Sequence, residues 1–167
     1  MDIAVDQIKT LRDLTGAGIM DCKRALQDTD GDISDAEKLL KVRGISKVEA
    51  KSDRETQQGL VEAYIHSGSR VGAIIELNCE TDFVARLPEF KELAHILSMQ
   101  VVAMSPVYID RSEITDDDRE NSEDLCLLQQ PCIKDNTKVI QDLITELAAR
   151  VGESIRVRRF ERFAIGE

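Results

Sequence analysis

LVEAYIHSGSRVGAIIELNC, residues 60–79, changes the period of the chain. From Leu60 apolar residues recur at every second position rather than at helical spacing, the pattern of a half-buried strand. Residues 60–66 read as one strand, Ser67-Gly-Ser69 as a turn, and residues 70–79 as the second strand of a hairpin. Val71, Ala73, Ile75 and Leu77 share a face that helices can cover. The opposite face is not cleanly polar, because Ile74 lies there and one face of the first strand carries Leu60 and Tyr64.

C-terminal to the hairpin, Pro88 fits the first turn of a helix over residues 88–104. Phe90, Leu93, Ala94, Leu97 and Val101 form its apolar stripe. Residues 106–110 are expected to add a short strand, and residues 111–124 to form a polar, exposed connection. A second helix is expected over residues 136–151, with Val139, Ile140, Leu143, Ile144 and Leu147 on one side. Gly152 ends it, and residues 155–165 make a final strand. Residues 60–167 thus read as an α+β core domain, a small antiparallel sheet covered by helices.

N-terminal to it the period is helical. Ile3, Val5, Ile8, Leu11 and Leu14 recur at helical spacing until Thr15-Gly-Ala-Gly18 breaks the pattern. A second helix brings in Met20, Cys22, Ala25 and Leu26. After the Asp30-Gly31-Asp32 turn, Asp32 or Ser34 can cap a third carrying Ile33, Ala36, Leu39, Leu40 and Val42, which Gly44 can end. Residues 1–46 therefore read as a three-helix module and the polar residues 47–59 as a linker that is partly helical.

A chain of 167 residues with 42% hydrophobic and 32% charged residues is a globular mixture. Its net charge of -10 argues against direct nucleic-acid binding as the main activity. No apolar run approaches the roughly 20 residues of a membrane span. The N-terminus carries no signal-peptide pattern, so the cytosol is expected, or an organelle if a transit segment has been removed. Cys22, Cys79, Cys126 and Cys132 show neither C-x-x-C pairing nor a neighbouring His, which argues for reduced, buried thiols over zinc or disulfides.

Little in the chain looks catalytic. Thr15-Gly-Ala-Gly18 lacks the lysine and spacing of a phosphate loop, and no strand precedes it. Cys79 stands beside Glu80 and Asp82, which would raise a thiol pKa rather than activate it. Residues 78–83, Asn-Cys-Glu-Thr-Asp-Phe, leave three readings open. Glu80 and Asp82 could hold Mg²⁺; Thr81 could cap a helical turn with both acids at its positive end; or the loop could carry Phe83 outward to a partner. Arg156-Val-Arg-Arg-Phe-Glu-Arg-Phe163 is the most basic stretch, and a solvated strand face paired with the acidic body accounts for it better than RNA binding.

Three separated motifs then share one resemblance. They are residues 11–26 with Gly31-Asp32; residues 78–86 with Phe90; and Leu127-Leu-Gln-Gln-Pro131, Ile133-Lys-Asp135, Val157-Arg-Arg-Phe160, Arg162-Phe163 and Gly166. In this order, from Ile8 to Glu167, the chain resembles the translation elongation factor Ts family. The resemblance implies a guanine-nucleotide exchange factor for elongation factor Tu, with no cofactor, metal or chemistry of its own. It implies that the helical module resembles a ubiquitin-associated domain and docks on the GTPase through Arg12, Ile19 and Met20. It further implies that Thr81, Asp82, Phe83 and Val84 enter the partner near its Mg²⁺ and nucleotide phosphates, Phe83 as the probe. Longer relatives carry two related core halves where this chain carries one, so a homodimer is expected to supply the other.

Overall fold

The hairpin forms as β1 (Gln58–Ile65) and β2 (Val71–Cys79), with Leu60 opposite Leu77 and Tyr64 opposite Ala73. The computed structural model describes residues 3–49, 54–114 and 122–167. β3 (Ile155–Ala164) pairs antiparallel with the free side of β2, giving the order β1-β2-β3 with both outer strands as edges. A bulge between Glu76 and Leu77 lets Glu76 face Arg159 while Leu77 faces Val157. That extra residue keeps Val157 and Phe160 on one face although they stand an odd number of positions apart.

The face bearing Ala73, Ile75 and Leu77 is sealed by α5 (Pro88–Met104) and α7 (Ile140–Val151). Pro88 opens α5, and the stripe of Phe90, Leu93, Ala94, Leu97 and Val101 is entirely buried. Leu60 and Tyr64 pack against this same core, so of the residues the alternation suggested for the opposite face only Ile74 lies there. Val61, Ile65, Ile74 and Phe163 stand there, each between 45% and 67% exposed.

Residues 106–110 do not form a strand; Tyr108 makes a single bridge to Cys126. α7 begins at Ile140 rather than at residue 136, because Asp142 turns back to accept the Val139 N–H at 3.2 Å and fixes the start there. A one-turn helix, α6 (Ser122–Leu125), precedes the Leu-Leu-Gln-Gln-Pro motif. Gln100, fully buried on α5, explains that motif. Its amide donates to Gln130 Oε1 and to the Pro131 carbonyl, and its Oε1 accepts the Ile133 N–H at 2.9 Å. One buried side chain therefore staples an irregular segment onto α5. Part of the expected 111–124 connection, residues 115–121, lies outside the described residues, as do residues 50–53 of the expected linker.

The helical module consists of α1 (Val5–Thr15), α2 (Ile19–Asp28) and α3 (Ile33–Glu49). Gly16, at φ 67°, ends α1, and the Asp32 carboxylate caps α3 by accepting the Asp35 N–H at 2.8 Å. Leu11, Cys22, Ala25, Leu26 and Ala36 form a small core with Ile8, Ile33, Leu39 and Leu40 around it. Val5, Leu14 and Val42 are not part of it, at 78%, 61% and 61% exposure.

Gly44 does not end α3; the helix runs on to Glu49. The glycine is needed for closeness instead. A Cβ there would stand 2.8 Å from Ala149 Cβ on α7, so α3 and α7 meet at near-backbone contact. Beside it Glu146 accepts from Lys41 at 2.8 Å and from Lys138 at 2.7 Å. Burial disfavours its charged form, yet the two ammonium groups outweigh burial and hold its pKa below the ordinary value.

Candidate functional site

Where β2 runs out, the backbone enters α4 (Asp82–Ala85), a single helical turn with Thr81 in extended conformation at its N-cap. Val84 and Ala85 point into the core and Phe83 points away, 76% exposed. Of the readings left open by the sequence, the structure holds the helical turn, and the aromatic on it faces solvent.

Thr81 does not cap the turn with its hydroxyl. The hydroxyl donates instead to Glu153 Oε1 at 2.6 Å, while the Thr81 N–H donates to Glu153 Oε2 at 3.0 Å. In return Glu80 Oε1 accepts the Ser154 N–H at 2.8 Å, and its other oxygen pairs with Arg54 at 3.1 Å. Asp82 pairs with Arg86 one turn on, at 2.6 Å. Both carboxylates of the motif are therefore held by protein donors. The Asp82–Arg86 pair is exposed and is worth at most about 1 kcal/mol.

Cys79 lies fully buried behind the turn and donates to the Thr81 carbonyl at 3.1 Å. Burial and the nearby Glu153 carboxylate push its thiol up to about 11. At pH 8 such a thiol holds roughly 100-fold less thiolate than one of pKa 9. Thiol labelling of the folded protein should accordingly be slower at Cys79 by about that factor than for a small free thiol. Rapid labelling at Cys79 would revive the nucleophile reading.

The other sequence-designated residues sit on the helical module. Arg12 is exposed on α1, and Ile19 and Met20 open α2 at 55% and 59% exposure. Both groups of residues connect to one element, α7. The turn after α1 meets it because a Cβ on Gly16 would stand 2.9 Å from Arg150 Cγ, and α3 meets it at Gly44. Gly152, at φ 75°, ends α7 and hands the chain directly to Glu153 and Ser154, which hold the Phe83 turn. On β3, Arg159 pairs with Glu76 at 2.7 Å, and Arg162 pairs with Glu167 and reaches the Val102 carbonyl. Those arginines are engaged with the protein's own acceptors.

Glu153, Ser154 and Arg54 had no signal in the linear sequence. Glu153 and Ser154 become visible only once β2 and β3 are known to pair with Cys79 opposite Ile155, which sets residue 80 against 154 and 81 against 153.

A three-helix module with exposed apolar residues, joined to a sheet domain whose strand-end turn carries Phe83 outward, is an arrangement that comparison resolves. The model of the family Elongation factor TS matches residues 5–124. Elongation factor Ts of Thermotoga petrophila is 43% identical, the match covering 100% of this chain and 98% of that protein. The Methylacidiphilum infernorum protein of the same name is 43% identical over 99% of this chain and 96% of its own length. That of Rippkaea orientalis is 44% identical over 99% of this chain and 79% of its own. The chain belongs to the elongation factor Ts family.

Proposed function

We propose that the protein is a guanine-nucleotide exchange factor that binds elongation factor Tu in its GDP form and speeds GDP release so that GTP can bind. The observation that carries this reading is Phe83, 76% exposed on a turn whose entry is hydrogen-bonded down at Glu80 and Thr81, in a chain of the elongation factor Ts family. A large aromatic ring kept in water gains most when a partner's pocket takes it up. Phe83 is the wedge, Val84 backs it from the core, Thr81 anchors it, and Asp82 brings negative charge toward the phosphate site. Arg12, Ile19 and Met20 dock the helical module on the GTPase domain.

This activity needs no nucleophile and no cofactor. A factor that weakens nucleotide binding is itself weakened by nucleotide to the same extent, so it accelerates exchange without moving the GDP/GTP equilibrium. Direct nucleic-acid contact has no part in it, and the site of action is the cytoplasm. Among the described residues no helix is long and apolar enough to cross a membrane. The decisive test follows release of fluorescent GDP from elongation factor Tu with and without this protein. An unchanged rate would overturn the reading.

The same reading includes a homodimer built on the outer sheet face. Val61, Ile65, Ile74, Phe163 and Ile165 stand exposed there and just beyond it, between 45% and 67%. A second copy, seated by two-fold symmetry, would cover that face and supply the core half that longer relatives encode twice. Light scattering should then give twice the 18.7 kDa chain mass. Phe163→Glu should return it to the single-chain value. A monomer at assay concentrations, fully active one-to-one with the partner, would remove the dimer from the proposal.

A further inference from the structure

We propose that Glu153 is a positioning residue for Phe83: its carboxylate latches Thr81 and fixes the angle at which the aromatic is presented. The inference rests on the exchange reading above, and its argument begins with the β2–β3 register. The last paired residues are Cys79 and Ile155, so the next two pairs of positions, 80 with 154 and 81 with 153, face each other beyond the sheet. Side chains continue the ladder: the Ser154 N–H enters Glu80 Oε1 at 2.8 Å, and the Thr81 N–H enters Glu153 Oε2 at 3.0 Å. Two carboxylates stand where carbonyl oxygens would be, one from each chain segment.

This substitution has a mechanical consequence. A backbone ladder would hold residue 81 in the sheet, whereas the side-chain latch lets the chain turn into α4 at once while keeping its entry fixed. Glu153 holds Thr81 by both the amide and the hydroxyl, at 3.0 and 2.6 Å, and two bonds from one planar carboxylate fix orientation as well as position. Glu153 itself is set by Gly152, whose φ of 75° reverses the chain at the end of α7. Phe83 follows the latched threonine by only two residues, and its ring is 76% exposed. Presentation of the wedge is therefore set from the α7–β3 junction, 70 residues away in sequence (positions 83 and 153).

The latch and its effect on exchange are separable by experiment. In the free protein, Glu153→Ala should speed hydrogen exchange at the Thr81 amide by about tenfold or more, since the donor loses its acceptor. In the exchange assay the same variant should lower the maximal rate of fluorescent GDP release from elongation factor Tu by about tenfold, with less than about a twofold change in the concentration giving half-maximal rate. A merely structural role would lower the melting temperature without that split. Glu153→Gln should restore most of the rate, because an amide can accept the Thr81 N–H through oxygen and donate to its hydroxyl through nitrogen. Thr81→Val in the Glu153→Ala background should cost nothing further, as both changes cut the same latch. Unchanged Thr81 protection in Glu153→Ala overturns the latch. A parental maximal rate in Glu153→Ala, alongside a slow Phe83→Ala, overturns the positioning role and leaves the exchange reading standing. Failure of the unmodified protein to speed release overturns the exchange reading and the kinetic role with it.

Discussion

Phe83→Ala slows catalysed GDP release by about 30-fold or more while the folded protein melts within about 2 °C of its parent. The two halves of that expectation have different physical origins. On stability, a side chain already 76% exposed has little burial to lose, and alanine suits the short helix better than phenylalanine does. On exchange, an aromatic that fills a partner pocket is worth about 2 kcal/mol or more, and each 1.4 kcal/mol is about a factor of ten in rate. Phe83→Leu separates shape from aromaticity and should fall between the two, since it keeps apolar volume but loses the flat ring. Thermal melts and stopped-flow release on the same preparations decide the matter. A variant that melts several degrees lower yet exchanges normally would make Phe83 a core residue and sink the wedge.

How far the site could be read without coordinates depends on the range of the forces that build it. The helix from Pro88 to Met104 was legible in full, because a proline at the start and a five-residue apolar stripe are local and mutually consistent signals. The hairpin was legible for the same reason, its boundaries shifting by one or two residues. Gly44 misleads because glycine has two uses: it ends helices, and it lets helices touch. Here Ala149, more than 100 positions on, decides between them, and α3 continues. Phe83 could be assigned to the partner only through family resemblance. Spacing alone left a capped turn, a metal loop and a contact loop side by side. Glu153 could not be found at all, because its connection to Thr81 follows from strand register and not from any pattern within either segment. Leu60 and Tyr64 show a smaller version of the same limit. Alternation says that two residues share a face; only pairing with Leu77 and Ala73 says that the face is the inner one.

Removing residues 1–50 weakens binding to elongation factor Tu by about 100-fold or more, about 2.7 kcal/mol, while the remaining α+β domain still unfolds cooperatively. The two hydrophobic clusters share no residue: one is built on Leu11 and Leu26, the other on Ile75, Phe90 and Leu97. Each can therefore persist without the other, apart from the α3–α7 seam. Losing that seam uncovers Ala149 and leaves Glu146 with Lys138 as its ion partner among those seen here, so some drop in melting temperature should accompany the truncation. The loss of affinity follows from what the module leaves outward. Ile19 and Met20 stand more than half exposed at the start of α2, in a domain too small to afford such exposure unless a partner takes it up. Because a truncated protein could lose affinity through a disturbed α7, the full chain carrying Ile19→Ala with Met20→Ala provides the control. Those side chains lie outside the module's core, so the double variant should melt like its parent and bind at least about tenfold more weakly. Affinity unchanged in both proteins would assign the helical module a role other than docking. Affinity lost only in the truncation would move the binding contribution from α2 to the α7 face that the module covers.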